Sequence, residues 1–227
     1  MPCPRSSAPQ PHTNHQRLEE AVRALRQQLQ PTARHDTDPR STLPILGVVG
    51  LAAVAGAVVY AARTPRIPPG VVPVENFDIG RYMGKWYEVA RIDHRFERGL
   101  QRTQAEYTRN RNGTVHVINR GFDPKRNFWK IAHGTAKATL TPDIGALKVS
   151  FFGPFYAGYN IVALCPHYQW ALVIGGDVRH CWILSRTPAL PEGVSEMLLE
   201  RAATMGVDTQ SLLWVHQDGV NTTGSYQ

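Results

Sequence analysis

The chain has 227 residues and a formal net charge of +7, with 42% hydrophobic and 19% charged residues. This length suits one domain of ordinary size plus an extension, and the composition is that of a globular protein. The positive charge favours acidic partners, either nucleic acid or an anionic lipid surface. We predict no nucleic-acid partner, because the arginines are scattered along the chain and no nucleic-acid-binding motif occurs.

The first forty residues are rich in Pro, Gln, Arg and His and contain few aromatic residues. This composition predicts a disordered tail over residues 1–40. The alternative is a partly helical tail, because residues 17–30 place apolar side chains on one stripe before Pro31. A single narrow stripe of this length is marginal as an isolated helix.

An apolar segment follows at residues 41–63, and it carries no charge before Arg63. It is long enough to cross a bilayer, which predicts a transmembrane helix or a signal sequence. Val59 and Ala61 are candidate small residues for a cleavage site. The weak bias of flanking arginines places the N-terminus in the cytoplasm and the following domain on the other side of the membrane. Residues 64–73 are Pro-rich and predict a linker.

Beyond residue 84 the pattern changes to short apolar or alternating runs separated by turn residues. The Asn112-Gly113 pair is a strong hairpin signal between two of these runs. Regular punctuation of this kind predicts an all-β meander. The eight predicted strands are residues 85–92, 101–109, 114–122, 128–140, 146–152, 155–164, 169–174 and 180–186.

A helical period appears only after these strands, over Pro191–Met205, with Gly206 as its stop. The last apolar run, Leu212–Val215, is able to pair with the sheet. Eight antiparallel strands followed by one helix predict a closed barrel, because closure removes both sheet edges. An eight-stranded barrel leaves an interior for side chains or for one small ligand. We assign the barrel domain to residues 74–219 and a flexible tail to 220–227.

Several blocks in this domain resemble the lipocalin family. Residues 76–88 resemble its opening, with the Gly-x-Trp motif at Gly84 and Trp86. Residues 182–188 resemble its last barrel strand, with Arg186 as the closing arginine. Residues 93–100 and 147–156 are similar to the bacterial outer-membrane lipocalins, a subgroup related to apolipoprotein D. The resemblance extends from Val72 to about Gly219.

The resemblance implies an eight-stranded antiparallel up-and-down barrel and assigns roles to individual residues. Trp86 is expected to plug the closed end, with the Arg186 guanidinium lying over its indole. Tyr156 and Trp182 are expected to line the ligand pocket. Strand alternation places about half of the remaining aromatic candidates outside the barrel. These weaker candidates are Phe128, Trp129, Phe152 and Tyr159.

Glu88 is a further interior candidate, because it shares strand parity with Trp86. A buried carboxylate needs a partner or becomes protonated. Arginines and acidic residues also surround the first inter-strand loop. This loop is expected either to attract anionic head groups or to be a solvated loop with mutual ion pairs. The residues concerned are Arg91, Asp93, His94, Arg95, Glu97, Arg98 and Arg102.

The predicted function is the binding and transport or storage of a fatty acid or lysophospholipid at the bacterial cell envelope. The alternatives are a membrane-tethered interaction module with an occluded barrel and an enzyme acting on a lipophilic substrate. No nucleophile elbow, phosphate loop or zinc-protease motif occurs, so an enzyme is not expected. No cofactor is expected, and no metal site, because the nine histidines are dispersed. His116 and His133 lie on separate strands and would meet only through their register.

The three cysteines are Cys3, Cys165 and Cys181. Cys165 and Cys181 are predicted at opposite ends of the barrel, too far apart for a disulfide, so free buried thiols are expected. Bacterial outer-membrane lipocalins are usually acylated on a cysteine after the signal peptide. No cysteine follows the apolar segment before Cys165. We therefore expect either an uncleaved helix anchor or a periplasmic barrel.

Overall fold

The computed structural model describes residues 67–218. The predictions for the N-terminal tail (1–40), the membrane or signal helix (41–63) and the C-terminal tail (220–227) lie outside the described residues. Within residues 67–218, no helix combines the length and apolar character that crossing a membrane requires.

Eight long antiparallel strands follow a one-turn helix, α1 (Ile79–Tyr82). The observed strand ends agree with the sequence prediction within two residues. The strands are β1 (Gly84–Ile92), β2 (Gln101–Arg109), β3 (Val115–Asp123), β4 (Phe128–Ala138), β5 (Ala146–Phe152), β6 (Phe155–Leu164), β7 (Trp170–Gly175) and β8 (Cys181–Ser185).

The C-terminal part contains helix α2 (Val194–Thr204), a 3-10 turn (Thr209–Ser211) and a short strand, β9 (Leu212–Trp214). Helix α2 begins three residues later than predicted, because Gly193 adopts the left-handed conformation with φ 73°. The expected pairing of the last apolar run is also observed, since β9 pairs with the end of β1.

The strands close into a barrel because β1 pairs with both β2 and β8. Apart from the β1–β9 pair, all other neighbours in the sheet are consecutive in sequence. The predicted eight-stranded barrel with a C-terminal helix is therefore confirmed. Where β1 and β2 separate, the buried Gln217 amide donates to the carbonyl oxygens of Glu88 and Thr103, at 3.0 Å each. The C-terminal segment thus fills the gap in the closing seam.

Apolar side chains form two clusters, one on each face of the sheet. The outer cluster packs α2 against β6, β7 and β8 through residues such as Leu198 and Ala202. Val71, from the predicted linker, also belongs to this cluster and is 5% exposed. The interior cluster includes Phe77, Tyr82, Trp86, Tyr107, Val117, Ile161 and Val173.

The two barrel ends differ in how they are covered. At one end, α1 and the preceding segment cross the base, where the Val74 amide donates to Ile161 and the Phe77 amide donates to Asp143. We call this the closed end. The opposite end carries the β1–β2, β3–β4, β5–β6 and β7–β8 turns, and we call it the open end.

The cysteines require one correction. Cys165 is disulfide-bonded, so the expectation of a free thiol is wrong for this residue. Strand length excludes a disulfide between Cys165 and Cys181 only. Cys181 is free and buried, and burial raises the pKa of its thiol to about 12.

Candidate ligand-binding site

The closed end is sealed by Trp86 and Arg186. Trp86 is 0% exposed, and its indole N–H donates to the Tyr82 carbonyl at 2.8 Å. The Arg186 guanidinium lies 3.9 Å from the centre of the indole. It also donates to backbone carbonyls of Arg81, Met83, Lys85 and Tyr168. One side chain therefore covers the plug and ties α1 to β1 and to the β6–β7 turn.

Gly84 allows this close approach at the start of β1. Its φ is +91°, a conformation that favours glycine, and a Cβ there would lie 3.4 Å from the Arg186 Nη1. The Gly-x-Trp motif thus combines a left-handed backbone position with the buried indole two residues later.

Three tyrosine hydroxyls form a hydrogen-bonded row above the plug. The Tyr159 hydroxyl lies 2.8 Å from that of Tyr82 and 2.9 Å from that of Tyr107. Burial raises the pKa of all three, so they remain protonated at neutral pH. The rings of Tyr82 and Trp86 are 4.7 Å apart. These buried aromatic side chains pack together above the plug and form the floor of the interior.

A buried ion pair, Glu88 with Arg91, stands on the wall above this floor. The Arg91 Nη1 lies 2.7 Å from the Glu88 Oε1, which also accepts from the Thr103 hydroxyl at 3.0 Å. Burial and the nearby Glu97 raise the pKa of Glu88 to about 8, although Arg91 opposes this shift. The expected interior carboxylate therefore has both a partner and a proton affinity well above the ordinary one.

A bulge explains why Arg91 reaches Glu88. Residues three apart in a regular strand face opposite sides. Here the β1–β8 register shifts between Glu88 and Ala90, which inserts Val89 as an extra residue. Arg91 therefore returns to the interior, where it also donates to the carbonyls of Glu97 and Leu100. Arg91 thereby holds the first inter-strand loop against the barrel.

Small side chains line the opposite wall. The register pairs Gly121 with Lys130, Asn119 with Ala132, and Val117 with Gly134, all on the interior face. Ala132 is solvent-exposed although it faces inward, which indicates open space. The buried Asn119 Oδ1 has no hydrogen-bond partner. Apart from Lys130 near the mouth, this wall consists of small side chains and Val117, with one unused acceptor on Asn119.

Trp182 lies on the interior face near the open end, opposite Val173. Its indole N–H donates to the Glu97 Oε2 at 3.2 Å. The His94 ring lies 5.6 Å from Trp182 and 5.4 Å from His180. Burial lowers the pKa of both imidazoles, so they are neutral at neutral pH. An indole and two imidazoles thus form one side of the mouth.

Tyr156 lies on the outer face, not in the interior as expected. Its ring centre is 5.7 Å from the Lys137 Nζ and 5.2 Å from the Lys148 Nζ. Those two lysines are cross-strand partners, and the adjacent Ala136 belongs to the interior cluster. Because side chains alternate, Tyr156 and both lysines face outward. We therefore omit Tyr156 from the proposed site.

The other weak aromatic candidates lie near the open end. Trp129 faces outward and packs against Phe122, with ring centres 5.6 Å apart. Phe128 has interior parity by its pairing with Asp123, but it is 43% exposed. Phe152 is 73% exposed at the tip of the β5–β6 hairpin. Of the aromatic residues predicted to line the ligand pocket, only Tyr159 and Trp182 both face the interior and are substantially buried.

The register does bring His116 and His133 together on the outer face. The His133 Nδ1 lies 3.4 Å from the His116 Nε2. Among residues 67–218, no group of three or more His, Cys, Asp or Glu side chains is arranged to hold a metal ion. The pair borders an open outer groove of about 330 Å³ together with Thr135, Ser150 and Tyr156.

A closed antiparallel barrel with a sealed base, an outer helix and an open mouth defines the class of ligand-binding β-barrels. The lipocalin-like domain family matches residues 77–217. The chain belongs to the lipocalin family, which confirms the resemblance seen in the sequence. Members of this family are generally binding or transport proteins, and membership supports binding of a lipophilic ligand in general.

Individual relatives agree with this assignment. The chain is 48% identical to the outer membrane lipoprotein Blc of Escherichia coli (strain K12), over 74% of this chain and 95% of that protein. It is 30% identical to apolipoprotein D of Mus musculus, over 63% of this chain and 78% of that protein. The fold is similar to that of insecticyanin from Manduca sexta, with a TM-score of 0.55 and 20% identity, covering 68% and 88% of the two chains.

Proposed function

We propose that the protein binds and carries a single-chain lipid, a fatty acid or a lysophospholipid, with its hydrocarbon tail inside the barrel. The observation that carries this proposal is the exposed, inward-facing Ala132 above a sealed aromatic floor. Solvent therefore reaches the interior face of β4 at Ala132. We propose that a single acyl chain enters past Ala132 toward Tyr159, because burial of each CH₂ contributes about 0.8 kcal/mol.

The polar groups of the interior suggest how the lipid is oriented. Lys130 has interior parity near the mouth, and its side chain is 40% exposed, with Nζ 3.9 Å from the Asp123 Oδ2. An accessible ammonium group here suits an anionic head group that remains in contact with water. Trp182 provides apolar area for the upper part of the chain. We propose Lys130, Trp182 and Tyr159 as ligand-contacting residues.

Glu88 has a different proposed role. Its carboxylate is occupied by Arg91 and Thr103, and this network anchors the loop at the mouth. We propose that Glu88 shapes the site through Arg91 and does not contact the lipid.

We also propose that the protein acts at the bacterial cell envelope. Support comes from the near full-length similarity to outer membrane lipoprotein Blc proteins, including 47% identity over 98% of the protein of Citrobacter freundii. Passive transport or storage requires only capture at the mouth and release at another membrane. We propose that the barrel interior supplies the burial that such a carrier needs.

Organic extraction of the purified full chain, followed by mass spectrometry, tests the proposal. We expect a co-purifying fatty acid or lysophospholipid, or stoichiometric uptake of an added fluorescent fatty acid. Trp182→Ala should weaken uptake about tenfold or more, whereas the outward-facing Tyr156→Ala should not. Preparations that are empty and also refuse added lipid would rule out the carrier function and favour an occluded barrel.

A further inference from the structure

Large aromatic side chains are exposed together at the open end of the barrel. They come from three successive hairpins or loops: β1–β2, β3–β4 and β5–β6. Exposed large apolar side chains that gather at one end of a protein often mark an interaction site. The residues and their exposed fractions are Phe96 (62%), Phe128 (43%), Trp129 (42%), Phe152 (73%) and Phe155 (80%).

Positive charges lie between these aromatic residues. Residues 93–100, 123–130, 152–155 and 176–180 contain six Lys or Arg and four Asp or Glu residues. Asp93, Asp123 and Asp177 already form ion pairs with Arg or Lys side chains. The Glu97 carboxylate accepts from the Trp182 indole.

Some of the cations also lie directly over the exposed rings. The Arg95 guanidinium lies 4.8 Å from the Phe96 ring centre. Arg102 lies 3.8 Å from that of Phe122 and 5.2 Å from that of Trp129. The open end therefore presents aromatic rings with a surplus of positive charge beside them.

We propose that the open end, defined here by Phe96, Phe128, Trp129, Phe152 and Phe155, docks onto an anionic lipid bilayer. Aromatic rings favour the boundary between head groups and acyl chains, and neighbouring Lys and Arg favour anionic head groups. A protein partner would need a shaped surface to match three separate turns. A fluid bilayer accommodates them without such a match.

This surface surrounds the entrance to the interior that contains Ala132 and Trp182. Docking in this orientation places the mouth against the bilayer, so that a lipid chain enters the barrel without crossing water. The inference deepens the proposed carrier function by naming the surface from which the lipid is taken. Docking itself is a property of the exposed rim, and it can be measured without any ligand.

Hydrogen–deuterium exchange of the full chain on vesicles of phosphatidylethanolamine and phosphatidylglycerol tests the proposal. Exchange resolved along the chain reports which end is covered, even where another part of the chain also holds it to the vesicle. In the Phe152→Ser, Phe155→Ser double variant, we expect amides of the open-end turns to exchange at least about threefold faster than in the unaltered chain. Residues 110–114 and 139–145, at the closed end, should exchange equally in both.

Leu140→Ser is the matched control, because Leu140 is 56% exposed but lies at the closed end. It should leave the exchange of the open-end turns unchanged. The substituted side chains are all exposed, so the unfolding temperatures of the variants should match that of the unaltered chain. Equal exchange at the open end in the double variant and the unaltered chain would overturn the proposal.

Two further outcomes would also contradict bilayer docking. Adding more vesicles at a constant protein concentration lowers the density of the protein on the bilayer. If protection of the open end then disappears, a second copy of the chain, and not the bilayer, covers this surface. Protection confined to the closed end would show that the closed end, and not the open end, faces the bilayer. Failure of the carrier function is recognised separately, because the double variant should still bind a fatty acid supplied as a monomer in solution. Unaltered binding together with lost open-end protection would therefore support both proposals.

Discussion

The Arg186 guanidinium lies 3.9 Å above the Trp86 indole and at the same time donates to four backbone carbonyls. The two residues are one hundred positions apart in sequence. Their contact joins the first and last strands of the barrel at its base. A half-buried guanidinium that satisfies several carbonyl groups stabilises the fold more than a surface ion pair does.

We therefore predict that Arg186→Met lowers the free energy of unfolding by about 2–4 kcal/mol. Arg186→Lys should recover only part of this loss, because an ammonium group cannot reach all of the carbonyls in the same geometry. Arg179→Met, which removes an exposed guanidinium paired with Asp177, should leave stability nearly unchanged, because water screens an exposed ion pair. Urea denaturation measures all three variants. Equal losses for Arg186→Met and Arg179→Met would contradict the bracing role of Arg186.

The hydrogen-bonded tyrosine row predicts which of two Tyr→Phe variants loses more stability. Tyr159→Phe removes the central hydroxyl and leaves those of Tyr82 and Tyr107 buried without their partner. We expect a loss of about 1–3 kcal/mol of unfolding free energy. Tyr107→Phe should cost less, because Tyr159 retains its bond to Tyr82. Thermal or urea unfolding decides the order, and a larger loss for Tyr107→Phe would show that the hydroxyl row is not the relevant interaction.

Glu88 should make stability depend on pH above neutrality. Its pKa rises from an ordinary value of 4.5 to about 8, so the folded state holds this proton more tightly than the unfolded state. Its contribution therefore favours folding at low pH and is lost as the pH rises toward 8. His94 and His180, whose pKa values are lowered, act in the opposite direction below about pH 6.5.

The window from pH 6.5 to 8.5 lies above this histidine range. Burial also raises the pKa of the neighbouring Glu97, so the contribution of Glu88 is read from the comparison with a Glu88 variant. We expect the unfolding free energy of the unaltered chain to fall across this window more steeply than that of Glu88→Gln. The curve of the variant should be flatter, so the difference in unfolding free energy between the two proteins should shrink as the pH rises toward 8. Parallel curves for the two proteins would mean that Glu88 is ionised throughout the window.

Gly121 should control the loop at the mouth. A Cβ at this position would lie 2.8 Å from the Leu100 Cδ1 and 2.9 Å from the Thr103 Cγ2. Gly121→Ala should therefore displace the β1–β2 loop and cost about 1–3 kcal/mol. Gly153→Ala is the control, because a Cβ there meets nothing within 4 Å. Denaturation curves and exchange rates of residues 93–100 report both effects, and indistinguishable variants would contradict this account.

The strand order and most strand ends were predictable because alternation and turn residues are local signals. The direction of individual side chains was less predictable. Bulges after Glu88 and after Val149 each insert one residue into a strand. Strict alternation of side chains between the two faces then assigns the residues after each bulge to the wrong face. Arg91 reaches the interior for this reason.

Contacts between distant strands were also beyond the sequence. His116 and His133 meet because β3 and β4 pair in one particular register. The interior role proposed for Lys130 depends on the same register. Its local sequence alone does not distinguish it from a lysine on the outer surface. Family resemblance supplied Trp86 and Arg186, whose roles depend on the closure of the barrel.

The most direct test of the central claim is to fill the interior without touching the outside. Ala132 faces inward and its neighbour Ile131 faces outward, 54% exposed. We predict that Ala132→Trp abolishes binding of a fluorescent fatty acid, whereas Ile131→Trp binds it as the unaltered chain does. Undiminished binding by Ala132→Trp, with the barrel still folded, would show that the lipid is held somewhere other than inside the barrel.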